Sequence, residues 1–206
     1  MKRTLAFVLV SVFSLFVAVS GAYAADVARF QSKGASATAV FNSLDGSGCI
    51  STNVVLIASD MTTKVGGPPS DIASLFVSVS QTDWCNVLTL RNITEVISLG
   101  PNEFTGSKQL DGASLVTSTS VYDYATASYV TLSLNIGWTG EGDVFRGMSQ
   151  SHSWSGTYLL VQRGSGSFRS ATATGVVSDG VTNYAPDPSQ FGQLSYTANS
   201  SLTVSQ

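Results

Sequence analysis

Most of the chain beyond residue 35 alternates apolar and polar residues with a period of two, the pattern of strands that bury one face. Leu132, Leu134 and Ile136 alternate with polar neighbours, and residues 75–80 follow the same rule. About ten such runs in some 180 residues are typical of an all-β fold, and we predict an antiparallel β-sandwich. The predicted strands are 36–44, 49–58, 75–80, 87–99, 113–122, 132–138, 144–154, 157–163, 168–177 and 194–204.

Glycine-containing segments separate several of these runs and are predicted to form turns, because glycine supplies the positive φ of tight hairpins. Residues 64–70 contain two glycines and two prolines and are predicted to form a surface loop. The four predicted turns are Asp45–Gly48, Gly140–Asp143, Gly164–Gly166 and Asp179–Gly180.

A weak internal echo occurs at an offset of 87 residues. If it is a true repeat, the domain consists of two similar halves that share a core. The matching pairs are Pro101 with Pro188, Phe104 with Phe191, Ser114 with Ser201, and Leu115 with Leu202.

The first 24 residues have the organisation of a secretory signal peptide. Two cationic residues precede the apolar run Leu5–Val19, and Ala22 and Ala24 occupy the −3 and −1 positions of the predicted cleavage site. A transmembrane anchor would need about 20 apolar residues, more than this run provides. We therefore predict export to the periplasm or the extracellular space, with residues 25–206 as a single domain and no membrane span after cleavage.

The charge balance disfavours two classes of partner. The chain has 10 basic and 13 acidic residues, and removal of Lys2 and Arg3 with the signal leaves 8 and 13, a net charge of −5. Nucleic acids and anionic membranes are bound through a basic surface. The charge balance therefore argues against nucleic acid, and the predicted export makes an extracellular ligand or surface component the expected partner.

The two cysteines, Cys49 and Cys85, are predicted to form a disulfide, because an even number of cysteines in an exported chain indicates a bond. Two cysteines without a C-x-x-C spacing, together with one histidine, do not form a zinc motif. No metal and no cofactor are predicted.

Candidate catalytic residues are few. His152, the only histidine, could act as a general base for a serine. However, the chain has no G-x-S-x-G motif, and the strand is so rich in serine that any histidine in it would have hydroxyl neighbours. Glu141 and Asp143 could contribute to a calcium site, yet they lie in a predicted turn that lacks a dense set of oxygen ligands. No catalytic residue is therefore predicted.

Aromatic residues are better candidates for ligand binding, because their rings can stack on a sugar or a partner protein. Tyr122 and Tyr124 are predicted to share one strand face, and His152 to share a face with Met148 and Trp154. Tyr122, Tyr124, Trp154 and His152 are the candidate binding residues. Trp138 ends an apolar face and is instead predicted to pack in the core.

Three segments, Val77–Cys85, Trp138–Asp143 and Val177–Tyr184, resemble segments of a group of uncharacterised secreted bacterial proteins. The resemblance covers most of the predicted mature chain. It implies export and a β-rich fold. No activity is assigned to that group, so the resemblance implies no catalytic or binding residue.

The favoured hypothesis is a secreted, non-catalytic β-sandwich protein that acts as an extracellular binding or interaction module. The alternative is a structural subunit of the envelope, similar in size, strand content and cysteine spacing to chaperone-assembled pilins. A secreted hydrolase that uses His152 or a pair of carboxylates is less favoured.

Overall fold

The computed structural model describes residues 28–155, 158–186 and 188–205. The predicted signal peptide, residues 1–24, lies outside the described residues. Every regular element in the described part is a β-strand. The strands are β1 Ala28–Leu44, β2 Ile50–Val65, β3 Ser70–Asp83, β4 Leu88–Ser98, β5 Phe104–Gly106, β6 Gly112–Asp123, β7 Ser128–Ser155, β8 Tyr158–Ser178 and β9 Phe191–Ser205.

All nine strands belong to one antiparallel sheet, in the order β4-β3-β2-β1-β9-β8-β7-β6-β5. The sheet curls so far that β4 also pairs with β6, where Ile93 is opposite Asp123. The predicted all-β antiparallel class is confirmed. Two stacked sheets and two similar halves are not confirmed, because the strands form a single continuous sheet.

The core lies inside the curl and is built from alternate residues of the strands around it. Small residues of β1, among them Ala37 and Ala39, face the bulky Trp138 of β7 across the core. The indole Nε1 of Trp138 donates a hydrogen bond to the Thr38 carbonyl at 3.0 Å, which ties the two walls together. The predicted core position of Trp138 is confirmed.

Two predicted turns are wrong, because residues 140–143 and 164–166 lie within the long strands β7 and β8. The first is a β-bulge: the β7–β8 register shifts between Glu141 and Phe145, and Gly142 has a φ of 68°. The second has a packing reason, because a Cβ at Gly166 would lie 2.9 Å from the Tyr196 carbonyl oxygen. These glycines bend and pack the strands without ending them.

Six strands continue beyond the closed body as an open sheet, called here the projecting sheet. Two strands of the closed body, β4 and β6, do not extend into the projecting sheet. β4 pairs with β3 only from Ser74 onward, and β6 pairs with β7 only as far as Thr139. No described strand therefore covers its inner face, the face that continues the core. The projecting sheet comprises residues 28–34, 60–65, 70–73, 144–155, 158–168 and 196–205.

One hairpin turn stores backbone strain that can be tested. Val87, in the turn between β3 and β4, has a φ of 53° and is 88% exposed. A β-branched residue with positive φ is strained, so we expect V87G to raise the free energy of unfolding by about 1 kcal/mol. Urea denaturation measures the change. V181G is the matched control: Val181 is also exposed but has no positive φ, so it should give no gain. Equal effects of the two variants would contradict the assignment of strain.

Candidate functional site

The inner face of the projecting sheet carries most of the cationic side chains of the predicted mature chain. Within the core, the residues of β1 that face inward are the odd-numbered ones. Because the pairing of β1 with β2 is unbroken, the odd-numbered residues continue to face inward as far as the start of β1. The same reasoning along β2, β7 and β8 places five cations on one surface, called here the cationic face: Arg29, Lys33, Lys64, Arg146 and Arg163.

One row of directly opposed residues shows how this face is built. The row crosses the sheet from β2 through β1, β9 and β8 to β7. Its directly opposed residues are, in that order, Lys64, Gln31, Ser201, Arg163 and Gln150. Neighbouring strands are about 4.8 Å apart, so Lys64 and Arg163 are separated by about 14 Å. Ser201 is buried between its long neighbours, whereas both cations are exposed to solvent.

The five cations have few carboxylates near them. By register, the inner face of the projecting sheet also holds Asp60 and Asp71, and Asp71 accepts a hydrogen bond from the Thr62 hydroxyl at 2.7 Å. None of the five cations forms an ion pair with a carboxylate of the described residues. The cationic face thus has a local excess of about three positive charges on a protein whose predicted mature net charge is −5.

An exposed apolar strip borders the cationic face on β7 and β8. Met148 and Trp154 are 87% and 71% exposed, and Trp154 lies opposite Leu159. The predicted sharing of one face by Met148, His152 and Trp154 is confirmed by the β7–β8 register. Exposed aromatic and apolar side chains beside cations are typical of a binding surface.

Among the described residues, His152 is not hydrogen-bonded to the partners that a catalytic histidine needs. Its ring Nε2 lies 2.6 Å from the Gln150 Nε2, and no described serine hydroxyl or carboxylate is bonded to it. A general base for a serine needs both the nucleophile and a group that orients the imidazole. The position of His152 therefore favours a role in surface contacts over a role as the general base of a hydrolase.

Tyr122 and Tyr124 lie far from the other two candidates, near the opposite end of β7. The Tyr122 ring contacts Tyr124 and Tyr129 edge to face, with centroid distances of 5.0 Å and 5.2 Å. Tyr124 and Tyr129 are exposed and Tyr122 is half-buried. The structure thus divides the four candidate binding residues between two surfaces, and only Trp154 and His152 join the cationic face.

A charged cluster that the sequence did not reveal joins the seam where β4 meets β6. The Arg91 guanidinium donates to Asp123 at 3.2 Å and Asp179 at 2.9 Å, and its Nε donates to the Tyr184 hydroxyl at 2.9 Å. The Tyr184 hydroxyl in turn donates to Asp179 at 2.6 Å. The Asp123 and Asp179 side chains are 0% and 6% exposed, so this cluster is largely withdrawn from solvent.

Hydrogen bonds keep both carboxylates ionised despite their burial. Burial alone would raise the pKa of Asp179, but donors from Tyr184, the backbone of Thr182 and Val181, and Arg91 together hold it well below its usual range. The pKa of Asp123 is also lowered: burial would raise it, but backbone donors and Arg91 together outweigh the effect of burial.

Such carboxylates are poorly suited to acid–base catalysis, which needs a pKa near the working pH. The contacts of the cluster are structural: Arg91 of β4 holds Asp123 at the end of β6 and Asp179 in the loop after β8. Within the described ranges, no group of three or more histidine, cysteine or acidic residues is placed to hold a metal ion.

The disulfide between Cys49 and Cys85 is present, with a Cα–Cα distance of 5.3 Å. It connects the start of β2 with the turn after β3, next to the pair Ile50 and Asp83. Disulfides are typical of oxidising environments such as the periplasm or the extracellular space.

The sequence carries one local signal for the cationic face. Arg29, Gln31 and Lys33 alternate in phase with the alanines at 35, 37 and 39, so β1 could have been extended eight residues toward the N-terminus. The predicted strand nevertheless began only at residue 36. The positions of Arg146 and Arg163 depended on the register of two long strands and could not be derived locally.

Comparisons with protein-family models, curated proteins and solved structures found no match. None of the residues that the structure describes forms a helix long and apolar enough to cross a membrane. The assignment of function therefore depends on the geometry and charge of this chain.

Proposed function

We propose that this protein is an exported, non-catalytic binding module whose cationic face binds an acidic polysaccharide. The observation that carries the proposal is the gathering of five of the eight basic residues that follow position 24 on one solvent-facing surface. An ion without a protein partner gains most from an anion supplied by a ligand, since no internal ion pair must first be broken.

The spacing of the cations favours a sparsely charged polymer. Arg29 and Lys33 are four residues apart on one strand, about 13 Å, and Lys64 and Arg163 are about 14 Å apart. A nucleic-acid strand carries one charge about every 3.4 Å, so most of its phosphates would have no cation opposite them on this face. Trp154 adds a ring on which a sugar could stack, at the border of the charged surface.

Binding to charged and neutral polysaccharides tests this function. We expect the mature protein to bind two sparsely charged polymers, hyaluronate and a highly methyl-esterified pectin, at low ionic strength and not to bind uncharged dextran. Raising the salt to 1 M should abolish binding, because the Debye length falls to about 3 Å. Equal binding to dextran, or no binding to either acidic polymer, would contradict the proposal.

The double variant K33Q/R163Q should weaken binding of hyaluronate about ten-fold, since loss of two exposed ion contacts costs roughly 1–1.4 kcal/mol. Isothermal titration calorimetry measures the change. K108Q is the matched control, because Lys108 is exposed on a loop outside the cationic face. If K108Q weakened binding as much as the double variant, the contacts would depend on overall charge and not on this surface.

An envelope structural subunit is the second candidate function, and one observation favours it. The outer edge of β7 beyond Thr139 has no described neighbouring strand. Pilin-like subunits assemble through strand pairing at such edges. If fractionation of the native host recovered the protein in high-molecular-weight fibres, this candidate would be preferred.

A further inference from the structure

The edge of β7 between Phe145 and Ser155 is a long strand with one side unpaired. It pairs with β8 throughout, whereas β6 leaves β7 at Thr139. The side chains of residues 141–154 are exposed without interruption. An edge strand presents a row of free backbone N–H and C=O groups, which can pair with a further strand.

This edge lacks most of the features that protect edge strands. Proteins commonly block such edges with lysine, proline or very short strands. The eleven residues 145–155 contain no proline, no lysine and no carboxylate, and Arg146 is their only fixed charge. By contrast, the opposite edge of the projecting sheet, residues 70–73 of β3, is only four residues long.

We propose that β7 pairs antiparallel with β7 of a second copy of this chain, about a twofold axis that passes beside Gln150. Two copies of one edge can form a closed dimer, since an isologous interface uses the same surface on both partners. A fibre would need a second, complementary edge, and the short edge of β3 is a poor match. The dimer places Arg146 and Trp154 at the interface and leaves the other four cations of the cationic face accessible to a polysaccharide, so either proposal can fail without the other.

Self-complementarity argues for a second copy as the occupant. In this register, Gln150 lies opposite its own mate, and Arg146 of one copy lies opposite Trp154 of the other. Directly opposed residues of an antiparallel pair share a face, so each guanidinium can contact an indole ring, a favourable cation–π arrangement. The axis repeats this contact, and Met148 lies opposite His152 on either side. The pairing places a side chain of the partner copy beside each of the two most exposed apolar side chains of the strip, Met148 and Trp154.

Cysteine cross-linking tests the register. Directly opposed Cα atoms are about 4.5–5.5 Å apart, within the range of a disulfide, so Q150C should form a covalent dimer under mild oxidation. H152C is the matched control on the same strand and face: its mate lies four residues away along the pair, about 13 Å, and should not cross-link. Both native cysteines are already paired, so the new thiol is the reactive one.

Sedimentation equilibrium of the mature chain gives the second measurement. We expect a reversible dimer, and we expect Q150K to weaken it at least ten-fold by placing two ammonium groups across the axis. A monomer at all concentrations, a dimer unaffected by Q150K, or cross-linking of H152C as fast as Q150C would each overturn the proposal. Pairing of β7 only with a strand of another protein would also overturn it. Thermal unfolding of each variant establishes that the fold is retained.

Discussion

Replacing Arg91 with methionine is expected to lower the free energy of unfolding at pH 7 by about 3–5 kcal/mol. The substitution leaves Asp123 and Asp179 buried without their cation, and an uncompensated buried charge is strongly destabilising. It also removes a side chain that joins β4 to the loop after β8. Urea denaturation of the mature protein measures the loss, with the slope of the transition compared to detect a change in compactness.

The pH dependence of this loss gives an independent check. The pKa values of Asp123 and Asp179 are depressed in the folded state, so they contribute stability above the unfolded value of about 3.9. That contribution is lost as the pH falls below about 4, toward the folded values. In R91M the carboxylates lack their cation and protonate more readily, so the difference between wild type and variant should narrow in acid. A deficit that stayed constant from pH 7 to pH 3 would show that it arises from packing and not from charge.

R169M is the matched control for R91M. Arg169 also pairs with an aspartate, Asp111, at 2.9 Å, but the Asp111 side chain is 73% exposed. An exposed ion pair contributes at most about 1 kcal/mol. If R169M were as destabilising as R91M, burial of the carboxylates could not explain the effect.

The second large effect is expected from removal of the disulfide. C49S/C85S should lower the free energy of unfolding by about 2–4 kcal/mol, because the bond closes a loop of 36 residues that otherwise gains freedom on unfolding. Guanidinium unfolding of the double variant, beside wild type with and without reductant, measures it. The double variant and the reduced wild type should agree. A loss below about 1 kcal/mol would show that the paired ends of β2 and β3 already restrict this loop when the chain is unfolded.

The strands were largely predictable because their alternation is a local signal. Where the prediction was wrong, a strand continued through residues that resemble turns. Gly140–Asp143 and Gly164–Gly166 have the composition of hairpins, yet both segments lie within the pairing of β7 with β8, and the second also pairs with β9. Tertiary pairing overrode the local preference in both places, and this merged four predicted strands into two.

The candidate site was predicted only in part. The shared face of His152 and Trp154 followed from alternation alone, and the disulfide followed from the number of cysteines. The cluster around Arg91 could not be predicted, because its carboxylates lie 32 and 88 residues away in the chain. Closure of the sheet brings them together, and only the strand order specifies that closure.

The change of character along β1 and β2 has a consequence for how the chain finds its native pairing. Inward positions on β1 change from Lys33 to Ala35 within one step, and those on β2 change from Ala58 to Asp60 at the neighbouring row. A slip of two residues would keep every side chain on its proper face, so hydrophobic alternation alone would not prevent it. Such a slip would nevertheless carry a charged group into the core. The boundary between the core and the cationic face therefore disfavours misaligned pairing of β1 with β2 during folding.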